Sequence, residues 1–139
     1  MPWRIPQESR ILFGPDDLIA RAAMPAGVRI SFRSNTTSVA GRVATRGEIS
    51  PLDLCCNGVL HASLPLGEQD QFRFEGLPPG EKLIELWLPQ AGEFRLNSLE
   101  LSDGATLAPF DDPRPRWVTY GSSITQCRTA ESPTLKGSV

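Results

Sequence analysis

Apolar and polar positions alternate with a period of two along most of the chain from Val28 onward. Val28, Ile30 and Phe32 alternate with Arg29, Ser31 and Arg33, the pattern of a half-buried strand. Ser34-Asn35-Thr36-Thr37 is predicted to turn the chain. Val39, Gly41 and Val43 then alternate with Ala40 and Arg42 in a second strand. Phe72 and Phe74 alternate with Gln71, Arg73 and Glu75, and Gly76-Leu77-Pro78-Pro79-Gly80 ends that strand. From Lys82 to Leu88 both faces are apolar, with Ile84, Leu86 and Leu88 against Leu83 and Trp87, which predicts a central strand. Between Leu96 and Leu99 the apolar phase switches, so one extra residue near Asn97-Ser98, a β-bulge, is expected to restore it.

Leu52 to Leu64 reads as a hairpin around Asn57-Gly58, a strong local hairpin signal. A two-residue loop would set Leu54 opposite His61 and mix the faces. A three-residue loop, Cys56-Asn57-Gly58, sets Leu54 opposite Leu60 and Leu52 opposite Ala62, and the uniform apolar face favours it. That register also predicts Asp53 across from His61 on the outer face, as a weak surface pair. Residues 1–26 are less regular. Asp16 to Ala23 fits one or two helical turns or a strand, and Pro25 and Gly27 end it either way.

About seven or eight short strands with turn signals at regular spacing predict an all-β fold. The expected architecture is an antiparallel two-sheet sandwich, jelly-roll-like, over residues 1–112. Pro109 to Arg116 reads as a stiff linker, because each proline fixes its own φ and biases its predecessor away from helix. Residues 113–139 are then the linker and the first strand of a second unit.

Composition narrows the functional classes. The 139 residues, 40% apolar and 22% charged, suit one globular core. Thirteen prolines and twelve glycines, scattered singly, fit the many turns of a β fold. A net charge of −2 offers no basic field for nucleic acid. The arginines, with Lys82 and Lys136, read as dispersed surface residues. No window approaches a membrane span, and the amino terminus lacks a signal-peptide pattern, so a soluble cytoplasmic protein is expected. Cys55, Cys56 and Cys127 have no metal-ligand spacing and read as small buried or half-buried thiols. No cofactor is expected.

The residues that suggest chemistry are near the carboxyl end. Arg116-Trp117-Val118-Thr119-Tyr120 is a β-prone run that stops at Gly121-Ser122-Ser123-Ile124-Thr125, as a strand does when it presents a hydroxyl at a sheet's end. This block resembles the nucleophile block of the SGNH (GDSL-type) serine esterases and acylhydrolases, in which a strand ends in Gly-Asp-Ser-Ile/Leu-Thr. The resemblance implies Ser123 as nucleophile, with its own N–H on the oxyanion, and Gly121 as the residue that permits the tight turn. Ser122 stands where the motif has aspartate, and Cys127 where a glycine is common. Serine at the first of these positions is similar to a subgroup whose hydrolase domain follows a jelly-roll-like β domain, the order read here.

A serine hydroxyl is a poor nucleophile at neutral pH until a base takes its proton. The resemblance implies a base in an Asp-x-x-His block and oxyanion donors from a glycine and an asparagine in middle blocks. No His, Asp or Asn follows Ser123, and His61 is the single histidine. The chain is therefore expected to be catalytically incompetent alone, and to look like a shortened gene product. Its implied partner is an acyl-ester substrate, including acylated carbohydrates. Residues 116–120 are a candidate for self-association through an exposed strand. The alternative is a carbohydrate-binding sandwich, with Trp87 and Trp3 as platforms and His61, Arg73 and Asn97 as polar contacts.

Overall fold

The computed structural model describes Glu8, Leu12, residues 14–115, Cys127 and residues 130–134. A short helix, α1 (Asp16–Ala22), comes first among the described elements. Pro15 stands at its N-cap with φ −63° and ψ 149°, and Asp16 and Asp17 place negative charge in the first turn, where the helix dipole favours it. The helical reading of this stretch is therefore the one realised.

Eight strands follow among the described residues: β1 (Arg29–Ser34), β2 (Val39–Arg46), β3 (Leu52–Cys56), β4 (Val59–Leu64), β5 (Gln71–Phe74), β6 (Lys82–Trp87), β7 (Glu93–Leu101) and β8 (Ala108–Pro109). They form a five-stranded sheet ordered β4-β3-β6-β1-β8 and a three-stranded sheet ordered β5-β2-β7. Every pairing is antiparallel. The chain changes sheets at each connection except the β3–β4 hairpin, so the two sheets fold together as one all-β sandwich. Val39, Leu52, Leu54, Ile84, Leu86 and Phe94 are fully buried between the sheets, and each such side chain contributes about 1.5–3 kcal/mol relative to exposure. β6, apolar on both faces, is the central strand of the larger sheet, as its sequence predicts.

The phase switch in β7 is also where the sequence places it. Arg42 pairs with Ser98 and Val43 with Leu96, which leaves Asn97 as the extra residue of a bulge. At this point Gly41 is sterically required. A Cβ there would stand 2.3 Å from the Ser98 carbonyl oxygen and 2.8 Å from the Phe72 ring.

The β3–β4 hairpin differs from its expected register. The loop has two residues, Asn57 (φ 51°) and Gly58 (φ 79°), as a type I′ turn requires. Cys56 pairs with Val59 and Cys55 with Leu60. A bulge then leaves His61 unpaired, and Leu54 meets Ala62 while Leu52 meets Leu64. The local preference of Asn-Gly for a two-residue turn wins, and the bulge absorbs the phase error that seemed to exclude it. As a result Asp53 faces Ser63 rather than His61, and it is buried, not on a solvated surface.

Lys82 corrects another expectation. It is 2% exposed, and its ammonium donates to the carbonyls of Thr36 (2.6 Å) and Gly80 (3.0 Å). This ties the start of β6 to the β1–β2 turn. There Thr36 Oγ1 accepts the Ser102 amide at 2.9 Å and donates to the Ser38 carbonyl at 2.6 Å.

Candidate functional site

Ser123 and Gly121, with the rest of residues 116–126, lie outside the described residues. The sites that are described begin with the outer face of the larger sheet. Antiparallel register sets Arg29 of β1 opposite Trp87 of β6, and Trp87 opposite Asp53 of β3. Side chains directly opposite one another share a face, so these three form one cross-strand row. The next row holds Ser31, Glu85 and Cys55.

At one end of the first row, Arg29 is bound on three sides. Its Nη1 is 2.7 Å from Glu85 Oε1, its Nη2 donates to Asp112 Oδ2 at 2.6 Å, and its guanidinium lies 5.1 Å from the centre of the Trp87 ring. Asp112 also accepts from Arg114, through the backbone amide at 3.1 Å, through Nε at 2.8 Å and through Nη2. The Arg114 side-chain hydrogen bonds hold the Asp112 carboxyl well below the usual carboxylate range, with the Arg114 amide and the charges of Arg114 and Arg29 adding to them.

At the other end, Asp53 is fully buried. Its Oδ2 accepts from Ser132 Oγ at 2.7 Å, from the Thr134 amide at 2.8 Å and from Thr134 Oγ1 at 2.6 Å. Three donors on one oxygen provide the hydrogen bonding that a carboxylate out of water needs. Oδ1 has no hydrogen-bond partner among the described residues.

The two thiols of β3 are poor nucleophiles. Burial, helped by the charges of Glu85 and Asp53, pushes the Cys55 thiol up to about 11, and burial also raises Cys56 against the opposing charge of Lys82. Both are free and buried, whereas Cys127 is exposed. Among the described residues no cluster of His, Cys, Asp and Glu could hold a metal ion. Nor is any helix there long and apolar enough to cross a membrane.

Of the polar and aromatic residues proposed from sequence as ligand contacts, Trp3 lies outside the described residues and the others do not converge on one site. Trp87 lies on the larger sheet, half-buried beneath Arg29. His61 Nε2 is 2.9 Å from the Glu75 carbonyl, which can only accept, so this nitrogen carries the proton and is engaged in the fold. Asn97 is the bulge residue of β7. Arg73 lines a pocket of about 460 Å³ on the smaller sheet, with Arg42, Gln69, Gln71 and Glu100.

Sequence reasoning missed Asp53 and its partners Ser132 and Thr134. One signal was available: Leu83, Trp87 and Cys55 are apolar on the outer faces of β6 and β3, which implies that something covers this side of the sheet. Pattern alone does not say that residues 132–134 take part.

Residues 1–97 match the family described as SsfX3, N-terminal domain. The chain belongs to this family. Its fold matches a solved structure titled salicylyl-acyltransferase SsfX3 from a tetracycline biosynthetic pathway, with 35% identity, a TM-score of 0.84 and 96% of this chain covered. A Bacteroides ovatus protein described as a GDSL-like lipase shares the fold at a TM-score of 0.62 and 20% identity over 81% of this chain. The chain spans 41% and 38% of the lengths of these two proteins. No curated protein matches it by sequence. The match to the acyltransferase extends well beyond residue 97.

Proposed function

We propose that this chain supplies the β-sandwich and the nucleophile segment of an SGNH-type acyl-transfer enzyme, with Ser123 as nucleophile. The observation that carries the reading is the 35% identity to a salicylyl-acyltransferase over 96% of the chain. In this reading Ser123 Oγ attacks an ester or thioester carbonyl and passes its proton to a base. The tetrahedral intermediate expels the leaving group, and water or an acceptor alcohol then removes the acyl group from the serine. Gly121 gives the backbone room to turn sharply before the nucleophile.

The base has to come from outside these 139 residues. His61 is the single histidine, and its Nε2–H is held by the Glu75 carbonyl. The chain alone is accordingly inert toward esters. The test uses a fluorophosphonate probe on a longer form that carries the remaining hydrolase domain. Ser123 labels and the Ser123→Ala variant does not, whereas labelling of that variant at another serine refutes the assignment.

A second reading, a non-catalytic carbohydrate-binding sandwich, is favoured by the polar pocket around Arg73. Trp87, capped by Arg29, offers little open ring for a sugar to stack on. A glycan array probed with the whole chain decides: hits lost on Arg73→Ala support this reading, and an array without hits removes it.

A further inference from the structure

The structure assigns a binding site for an acidic sugar, a hydroxylated ring carrying one carboxylate, to the pocket on the outer face of the smaller sheet. This deepens, and rests on, the reading of the sandwich as a carbohydrate-binding module, which leaves the kind of sugar open. Val39 and Val43 of β2 are buried between the sheets, so Ala40 and Arg42 lie on the opposite face. Register then sets Arg73 of β5 and Glu100 of β7 on either side of Ala40, and Gln71 and Ser98 on either side of Arg42. Ala40 has no side chain beyond Cβ, so the row Arg73–Ala40–Glu100 is hollow in the middle. Its two charges spring from strands about 10 Å apart. The cavity of about 460 Å³ that they flank is of the size that small-molecule sites have.

Two observations set this pocket apart from an ordinary polar surface. Arg42 and Glu100 are diagonal neighbours on adjacent strands, yet among the described residues neither side chain makes an ion pair or hydrogen bond. Arg29, Arg33 and Arg114 each have a carboxylate partner, and Arg73 reaches Glu75 only at 3.7 Å. The β7 bulge also stands against Arg42, and the Ser98 hydroxyl accepts the Arg42 amide at 3.3 Å. Bulges re-aim side chains and recur next to active sites.

The lining dictates the chemistry of the ligand. Arg42 and Arg73 face a single carboxylate, Glu100, so the pocket favours one negative charge. A guanidinium takes a carboxylate through two parallel hydrogen bonds. Glu100 only accepts, whereas the amides of Gln69 and Gln71 donate and accept, so the rest of the ligand must do both. Hydroxyl groups do. Glu100 also sets the direction: the ligand's carboxylate lies toward Arg73 and its hydroxyls toward Glu100.

Amide NMR of the isotope-labelled 139-residue chain tests the assignment, by titration with sodium glucuronate at constant ionic strength. Glucose, sodium acetate and inorganic phosphate are the comparison ligands. Glucuronate should shift the amides of Ala40, Arg42, Arg73 and Glu100 saturably, and bind at least about tenfold more tightly than glucose or acetate. Arg42→Gln removes a side chain that has no partner in the described fold, so it should weaken glucuronate at least about tenfold at an unchanged thermal midpoint. Arg73→Gln should do the same. Glu100→Ala should narrow the preference for glucuronate over acetate, because the hydroxyl acceptor and the repulsion of a bare anion go together; an unchanged preference overturns the orientation. Glucose binding as tightly as glucuronate at these amides overturns the acidic class and leaves the carbohydrate reading standing. Acetate or phosphate matching glucuronate makes the pocket a plain anion site and overturns the sugar. The absence of a saturable shift with either sugar overturns both.

Discussion

Gly41→Ala tests the account of the smaller sheet more severely than any large-to-small core change. The added Cβ would lie 2.3 Å from the Ser98 carbonyl oxygen and 2.8 and 2.9 Å from two carbons of the Phe72 ring. Neither wall yields easily. The carbonyl belongs to the β7 bulge, whose position is fixed by the Arg42–Ser98 and Val43–Leu96 pairs on either side. Phe72 is 4% exposed and packs edge-on against Phe74 with ring centres 6.0 Å apart. Overpacking of this kind costs about 1–3 kcal/mol, and two rigid walls place it at the upper end. Replacing glycine returns about 0.4–1 kcal/mol by restricting the unfolded chain, for a net loss of about 2 kcal/mol. Urea denaturation followed by tryptophan fluorescence should show the midpoint falling by about 1 M at unchanged slope, given m of about 1–3 kcal/mol/M. Gly47→Ala is the control: its φ is +81° with no atom within 4 Å of the new Cβ, so only the backbone cost of about 1 kcal/mol applies. If Gly41→Ala loses less than Gly47→Ala, the contact argument is wrong.

Further substitutions, an alkylation and a pH titration probe the buried polar groups and thiols. Lys82→Ala leaves the Thr36 and Gly80 carbonyls without their donor and opens a void, for about 2–4 kcal/mol. Lys82→Met keeps most of the volume and should cost less; equal losses in chemical denaturation would mean that the hydrogen bonds alone matter. Iodoacetamide should modify Cys127 under native conditions and leave Cys55 and Cys56 untouched until the chain unfolds, as peptide mapping can show. The Cys55 thiol is raised in the fold from 9.0 to about 11, so the folded state binds that proton more tightly. Its contribution is complete below pH 9, and stability should fall between about pH 9 and 11 as the unfolded thiol ionises first. Cys55→Ala should flatten that part of the stability–pH curve, and an equally steep fall in the variant would assign it to another group.

The fold was legible where each local signal agreed with the next. The period-two runs mark β1, β2 and β5, the doubly apolar run marks the central β6, and the broken phase at Asn97 marks a bulge because no straight strand could bury both Leu96 and Leu99. The β3–β4 hairpin was misread because two signals disagreed. Asn57-Gly58 asked for a two-residue turn, while the apolar face of Leu52 and Leu54 appeared to forbid one. A bulge at His61 satisfies both, and a bulge leaves little trace in sequence when the displaced residue is polar and half-exposed. Lys82 was misread for a different reason. Composition treats lysine as a surface residue, but a long stem can carry its ammonium to two carbonyls that need a donor.

The Ser123 block was read from resemblance, and the contact of Ser132 and Thr134 with Asp53 was not read at all. That difference is physical. A nucleophile turn is local: a strand, a glycine and a serine within a few residues. Asp53 gives no such signal, because an aspartate between Leu52 and Leu54 looks like an ordinary outward residue of an alternating strand. It becomes a buried carboxylate only because residues far along the chain return to cover it. An unpaired charge in that position would destabilise the sheet by several kcal/mol, so Asp53 has value only in a chain whose 132–134 segment is docked. The same carboxylate therefore joins the sandwich to residues 132–134, and Asp53 is not fully satisfied without them. Asp53→Asn sharpens the point, because the amide keeps the shape and loses the charge that draws three donors to one oxygen. It should lower the thermal midpoint and loosen residues 130–134 together, and a midpoint that falls with Thr134 still protected would separate the stability of the sheet from the docking of the segment.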